Sequence, residues 1–98
     1  MRFLVIANPT GTPDSPEHLE ALLDAERDWR ARHAGRVDVY AWFVTGGGFG
    51  VVDVEDEAAL YDAIMSHPFT PLSRYDVRPL VDADVASQRT RELFAAAA

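Results

Sequence analysis

Two apolar segments joined by glycines, residues 37–54, limit the folds open to this chain more than any other stretch. The first segment, VDVYAWFVT, is rich in β-branched and aromatic residues, and the second, GFGVVDV, has a similar character, so both are predicted strands. Gly46 and Gly47 lie between them and tolerate the positive φ angles of a two-residue turn. Residues 37–54 are therefore predicted to form a β-hairpin.

The segments before the hairpin predict a strand followed by a helix. Residues 2–7 are a short apolar run of β character, typical of a buried strand. Ser15 can cap a helix whose first residue is Pro16, and Gly35 is suited to end that helix. The turn formers of PTGTPDSP, residues 9–16, predict a loop between the two elements.

The segments after the hairpin predict a helix, a strand and a tail. Asp56 can cap a helix that must end before Pro68, because the residue before a proline avoids the helical conformation. Residues 73–81 predict a fourth strand, which lies at a sheet edge because Pro79 cannot donate to a ladder. Residues 83–94 predict a short tail helix that is available for oligomer contacts.

The element order βαββαβ predicts a ferredoxin-like α+β fold, with a four-stranded antiparallel sheet and two helices on one face. Ninety-eight residues with 48% hydrophobic content suit one domain over residues 1–98, in which residues 83–98 form the C-terminal tail. No apolar run approaches the roughly 18 residues of a membrane helix, and the N-terminal run is too short for a signal peptide. We therefore expect a cytoplasmic protein with no membrane partner.

The stretch GGFGVVDV, residues 47–54, matches part of the octapeptide with which RNA-recognition motif domains stack bases on aromatic rings. That octapeptide has a basic residue where this chain has Gly47, and rings where it has Val51 and Val54. The chain also has no lysine and a net charge of −7, which oppose phosphate binding. We therefore expect no nucleic-acid partner.

A two-residue turn at Gly46 and Gly47 also predicts which side chains share a face of the hairpin. Alternation then assigns six residues to the open face, away from the helices: Tyr40, Trp42, Val44, Phe49, Val51 and Asp53. An open face with these rings is too apolar for a monomer in water. We therefore expect two copies to pack sheet against sheet as a homodimeric α/β barrel.

The first predicted helix carries an acidic residue within its apolar stripe. At helical spacing the stripe contains Leu19, Leu22, Leu23, Glu26, Trp29 or Arg30, and His33. Because carboxylates in apolar surroundings suit proton transfer, Glu26 is a candidate general base and acid, with His33 as a catalytic partner. Two structural alternatives are an ion pair of Glu26 with Arg30 and a helix-end role for His33.

Six side chains are candidate contacts for a small-molecule substrate. They are aromatic or basic groups: Trp29, Tyr40, Trp42, Phe49, His67 and Arg74. His67 lies where a polar loop can close over a pocket, and Arg74 is able to bind a carboxylate, although a helix-end role and a surface role are the simpler alternatives. The histidines lack metal-site spacing and the chain has no cysteine, so no metal is expected.

Several short motifs resemble those of the muconolactone isomerases. They are DAER at residues 24–27, WFVTG at 42–46, VDV at 52–54, EAALYDAIM at 57–65 and PFTPLSRYDV at 68–77. Their shared order and spacing cover most of the chain. The resemblance implies an isomerase of small lactones in aromatic catabolism that needs no cofactor, moves a double bond by proton transfer, and assembles from barrel dimers into larger rings.

By matched position, the resemblance implies that Glu26 is the proton shuttle and that Trp42 is a pocket residue. The sequence departs from the family where substrate is bound, since Phe43 replaces an arginine and Leu72 replaces a tyrosine. A polyketide-type cyclase or isomerase of a biosynthetic pathway, acting on a larger or less charged molecule, is therefore an alternative. A non-catalytic small-molecule-binding barrel is another.

Overall fold

A computed structural model describes residues 1–97 of the chain. Its elements are β1 (Arg2–Pro9), α1 (Pro16–Arg32), β2 (Val37–Trp42), β3 (Gly48–Asp53), α2 (Glu57–Met65), a 3₁₀ turn (Thr70–Leu72), β4 (Ser73–Leu80) and α3 (Ala83–Ala97). The strands form an antiparallel sheet in the order β2-β3-β1-β4. The predicted ferredoxin-like order is confirmed, and β4 lies at an edge of the sheet as Pro79 predicted.

Both main helices begin at the residues predicted to cap them. The Ser15 Oγ accepts a hydrogen bond from the His18 amide at 3.0 Å. The Asp56 carboxylate accepts one from the Ala59 amide at 2.9 Å. These side chains satisfy backbone donors that have no partner within the helix, which fixes the first turn of α1 and of α2.

Replacing Ser15 by alanine is expected to lower the free energy of unfolding by about 1 kcal/mol, because the His18 amide loses its acceptor. Urea denaturation followed by circular dichroism measures the change. Ser87→Ala is the matched control, since Ser87 is exposed on α3, and it is expected to stay within about 0.5 kcal/mol of the parent protein. Equal losses in the two variants would contradict the capping role.

The end of α1 differs from the prediction. The helix stops at Arg32 rather than near Gly35, and His33 is its C-cap. The backbone N–H of His33 donates to the Trp29 carbonyl at 3.0 Å, and His33 Nδ1 lies 2.9 Å from the same oxygen. The histidine thus satisfies a carbonyl at the end of the helix, and the chain turns through Gly35 into β2.

The hairpin register also differs from the prediction. The connection is the loop of residues 43–47 and not a two-residue turn, so Trp42 pairs with Gly48 and Tyr40 with Gly50. Gly46 and Gly47 do adopt positive φ angles, 102° and 79°. A Cβ on Gly48 would lie 2.6 Å from the Ala41 carbonyl oxygen, so the third glycine permits close backbone approach inside the strand pair.

The shift moves two aromatic residues to the face covered by the helices. Tyr40 and Trp42 share that face with Gly48 and Gly50, so their predicted place on the open face is wrong. Val44 lies in the loop rather than on a strand. The predicted open-face positions of Phe49, Val51 and Asp53 agree with the observed pairing, in which the open face carries Leu4, Ile6, Val39, Ala41, Phe49 and Val51.

The hydrophobic core lies between the sheet and the two main helices. Its buried cluster consists of Phe3, Val5, Val52, Val54 and Leu60. Trp29 of α1 is 5% exposed, and its Nε1–H donates to the Ala63 carbonyl of α2 at 3.0 Å. That hydrogen bond joins the two helices above the sheet.

The tail helix α3 has a different environment. None of its residues is buried. The protein as a whole is elongated and measures 62 × 26 × 21 Å along its principal axes. Each helix within residues 1–97 is too short or too polar to span a bilayer.

Candidate functional site

A cavity of about 230 Å³ lies between the sheet and the helices that cover it. Gly48 and Gly50 lie at its floor, and at Gly50 the absence of a side chain leaves space that a larger residue would fill. Its aromatic wall consists of Trp29, Tyr40, Trp42, Phe69 and Tyr75. Since a cavity of about 150 Å³ accommodates benzene, this volume suits a small ring compound with substituents.

Trp29 brings three predicted site residues together. The His33 ring stacks on it with centroids 4.5 Å apart, and the His67 ring meets it edge-on at 4.7 Å. The Tyr40 ring lies 6.0 Å from it. The indole is itself held by its hydrogen bond to Ala63, so these rings are arranged around a fixed group.

Tyr40 and His67 form a hydrogen-bonded pair with a defined direction. His67 Nδ1 accepts the backbone N–H of Phe69 at 3.1 Å, and His67 Nε2 lies 3.1 Å from the Tyr40 hydroxyl oxygen. A ring nitrogen that accepts an N–H carries no proton of its own, so in the neutral ring the proton is on Nε2. His67 therefore donates to Tyr40.

Burial keeps this pair in its neutral form. Burial, with a smaller contribution from the nearby His33, lowers the pKa of His67 from 6.5 to about 4. It also raises the pKa of Tyr40 from 10.0 to about 12, with an added contribution from the negative charge of Glu26. Near neutral pH the pair is a neutral imidazole and a protonated phenol.

Acidification from about pH 6.5 to about pH 4 is expected to destabilise the fold through His67. Within this window the unfolded chain binds more protons than the folded chain, so stability rises with pH. His67→Gln removes this titration and keeps an amide donor near Tyr40. Urea denaturation at about pH 5 and about pH 7 should show a smaller loss on acidification in the variant. Equal losses would contradict the assignment.

Glu26 is the buried carboxylate of α1, with 2% of its surface exposed. The half-exposed Arg30 brings its Nε to 2.5 Å from Glu26 Oε1, and its guanidinium carbon lies 5.7 Å from the centre of the Tyr40 ring. Oε1 nevertheless accepts no hydrogen bond within residues 1–97, because the guanidinium N–H is not aimed at it. Glu26 is thus both buried and paired with Arg30, the two arrangements that the sequence offered as alternatives.

The structure separates the predicted site residues into two groups. Trp29, Tyr40, Trp42 and His67 line the cavity, and Phe49 borders it although the strand pairing directs its side chain to the open face. Glu26, His33 and Arg74 are outside that set. Glu26 and His33 adjoin lining residues, as described above, whereas Arg74 pairs with Asn8 and is exposed on the other face of the sheet. Tyr75 occupies the cavity side of β4, so alternation directs Arg74 away from it.

Two aromatic lining residues were not predicted from the sequence, Phe69 and Tyr75. The Phe69 ring lies 6.0 Å from that of His67, and the Tyr75 hydroxyl is 2.8 Å from Thr70 Oγ1. Alternation along β4 is the signal that would have placed Tyr75 on the same face as Val77. No cluster of three His, Cys, Asp or Glu side chains suited to a metal ion occurs among residues 1–97.

No family profile matches the chain, and no curated protein sequence matches it. Among solved structures, muconolactone isomerase aligns with a TM-score of 0.71 and 25% identity, over 84% of this chain and 90% of that chain. This chain has the muconolactone isomerase-like fold. The resemblance drawn from short motifs is confirmed at this level.

A second solved structure has a similar muconolactone isomerase-like fold. It is 5-chloro-2-hydroxyhydroquinone dehydrochlorinase from Burkholderia phenoliruptrix, in complex with 2,5-dihydroxybenzoquinone. It aligns with a TM-score of 0.71 and 14% identity, over 86% of this chain and 97% of that chain. Two proteins of this fold thus carry the names of different enzymes, and the comparison supports a small-molecule catalytic or binding role without selecting a reaction.

Proposed function

We propose that this protein is a cofactor-independent isomerase that shifts a double bond in a small lactone or related carbonyl compound. The observation that carries the proposal is a buried carboxylate, Glu26, which is paired with Arg30 and whose Oε1 accepts no well-aligned hydrogen bond within residues 1–97. It lies close to a neutral phenol, Tyr40, on the wall of an apolar cavity. The resemblance to muconolactone isomerase, whose name states an isomerase that acts on a lactone, supports it.

The reaction assigns a separate task to each group. Glu26 removes a proton from a carbon next to the carbonyl, and the electron pair of that C–H bond moves onto the carbonyl oxygen as an enolate. The Tyr40 hydroxyl donates a hydrogen bond to this developing charge. The enolate then takes the proton back at a different carbon, so the double bond moves and no atoms are gained or lost.

Access to Glu26 requires one local movement. Glu26 is not among the residues that line the cavity, and the Arg30 side chain covers its Oε1. Arg30 is half-exposed and has no other ion pair within residues 1–97, so its guanidinium is free to move toward solvent. The proposal therefore assigns Arg30 the role of a cover over the carboxylate.

We also propose a homodimer, or a larger ring of dimers, formed through the open face of the sheet. The rings of Tyr40 and Trp42 no longer belong to this face, but Leu4, Ile6, Phe49 and Val51 keep it apolar, and Val39 is 45% exposed there. Light scattering should give twice the mass of one chain or a multiple of it. A stable monomer would contradict the proposed assembly.

A non-catalytic small-molecule-binding protein is the second candidate. The ion pair of Glu26 with Arg30, and the position of Glu26 outside the cavity lining, favour it. A polyketide-type cyclase is less well supported, because a cavity of about 230 Å³ suits one substituted ring rather than a long chain.

Proton NMR in D2O distinguishes the isomerase from the binding protein. The protein is incubated with muconolactone and with α-angelica lactone, a five-membered unsaturated lactone without a carboxylate. An isomerase is expected to move the double bond and to introduce deuterium at the carbon that receives the proton. A lactone that binds without exchanging hydrogen for deuterium would support the binding protein instead.

A further inference from the structure

The two tyrosines of the cavity differ in what their hydroxyls can still offer a ligand. The Tyr40 oxygen accepts the Nε2–H of His67, because His67 Nδ1 is occupied by the Phe69 amide. The Tyr40 proton has no acceptor within residues 1–97. Tyr40 therefore presents a free hydrogen-bond donor.

The Tyr75 hydroxyl offers a ligand a hydrogen-bond acceptor instead of a donor. Thr70 Oγ1 donates its single proton to the Ile64 carbonyl at 2.6 Å. The 2.8 Å contact between Thr70 Oγ1 and the Tyr75 hydroxyl must then use the proton of Tyr75. Tyr75 has no proton left for a ligand, and its oxygen keeps a lone pair that can accept one.

Main-chain groups determine the direction of the hydrogen bonds at both tyrosines. The Phe69 amide can only donate and the Ile64 carbonyl can only accept, so neither chain of hydrogen bonds can reverse without losing a bond. Both tyrosines line the cavity, and burial raises the pKa of each, so both keep their protons at neutral pH. The cavity thus has one fixed donor and one fixed acceptor.

The rest of the lining carries no charged side chain. Within residues 1–97 the lining groups are apolar side chains, backbone and neutral polar groups, since His67 is held neutral. A ligand anion enclosed here would lose its hydration without gaining a cation, which is costly.

We propose that the cavity binds an uncharged ring compound that has a hydrogen-bond acceptor such as a carbonyl oxygen facing Tyr40 and a donor such as a hydroxyl facing Tyr75. This inference rests on the proposed function for the identity of the site and narrows its substrate to neutral hydroxy-carbonyl rings. It concerns recognition only, and it holds whether or not the protein transfers a proton.

Three small rings test the inference by calorimetry or by fluorescence of the cavity tryptophans. 4-Hydroxyacetophenone has both groups, acetophenone has only the acceptor, and 4-hydroxybenzoate is an anion of similar size. The first is expected to bind about three- to tenfold more tightly than acetophenone, as one further hydrogen bond provides. 4-Hydroxybenzoate is expected to bind most weakly. Tightest binding of the anion, or no binding of any of the three, would overturn the inference.

Tyrosine-to-phenylalanine variants test each group separately. Tyr75→Phe should remove the preference for 4-hydroxyacetophenone and leave the affinity for acetophenone unchanged. Tyr40→Phe should weaken both by about three- to tenfold and keep the preference. Tyr61→Phe, at an exposed position of α2, is the control and should change neither. The inference would be overturned if Tyr75→Phe kept the preference or Tyr40→Phe removed it.

The outcomes also separate this inference from the proposed reaction. The binding pattern without deuterium transfer to any lactone would refute the isomerase and keep the inference. Deuterium transfer without the binding pattern would refute the inference and keep the isomerase. Because the wild-type comparison of the three rings needs no variant, the test stands even if a phenylalanine variant does not fold.

Discussion

Glu26→Gln is expected to lower turnover of a lactone substrate by about 10²- to 10⁴-fold, the usual contribution of a positioned acid–base group. Glutamine has nearly the shape of glutamate, but its amide cannot take and return a proton. The rate is followed by proton NMR in D2O with the lactone that the wild-type protein converts fastest. Unchanged turnover would exclude Glu26 as the proton shuttle.

Two controls isolate the chemical role of Glu26. Glu20→Gln changes an exposed carboxylate on the same helix and is expected to keep full turnover. Glu26→Gln itself is expected to unfold at nearly the wild-type urea concentration, because Arg30 is half-exposed and can be hydrated when its partner is lost. A large loss of stability would instead indicate that the carboxylate supports the fold.

Trp29→Ala is expected to lower the free energy of unfolding by about 3–5 kcal/mol, as usual for a buried tryptophan. Its side chain is 5% exposed, and the variant also loses the hydrogen bond that Nε1 donates to Ala63. Since a domain of this size is stable by about 5–15 kcal/mol, this loss is a large share of the total, and the variant should unfold at a much lower urea concentration than the wild type. Urea denaturation measures the difference.

Trp42→Ala is the matched control for this loss. Trp42 lines the same cavity but is 58% exposed, so its removal is expected to cost less than about 1 kcal/mol. Similar losses in the two variants would mean that Trp29 does not hold α1 against α2. Trp29→Phe, which keeps an aromatic ring but has no N–H donor, should fall between wild type and Trp29→Ala.

Local signals in the sequence were sufficient for the elements and their order. Ser15 and Asp56 mark helix starts through their own side chains, and Pro79 excludes an interior strand, so none of these assignments depended on distant contacts. The burial of Glu26 was likewise accessible from helical spacing, because positions three and four residues apart share a face.

The hairpin register could not be predicted from local signals in the sequence. Three consecutive glycines allow several turns, and local preference does not distinguish a two-residue turn at Gly46 and Gly47 from the observed loop. Packing makes the choice, because the observed register places Tyr40 on the face covered by the helices, where its ring lies 6.0 Å from that of Trp29 and its hydroxyl meets His67. The Tyr40–His67 pair depends on that register and joins residues 27 positions apart, so it could not be predicted locally.

Three of the four hairpin glycines, Gly47, Gly48 and Gly50, differ in how much sequence change they tolerate. A Cβ on Gly47 would lie 2.4 Å from the Ala7 carbonyl oxygen, and one on Gly48 would meet the Ala41 carbonyl, so both positions are closed to larger residues. A Cβ on Gly50 would instead meet its neighbours at 3.5 to 3.9 Å, ordinary contact distances. Gly50 is therefore the floor position at which a substitution such as Gly50→Ala would reduce the depth of the cavity while the strand pairing is preserved.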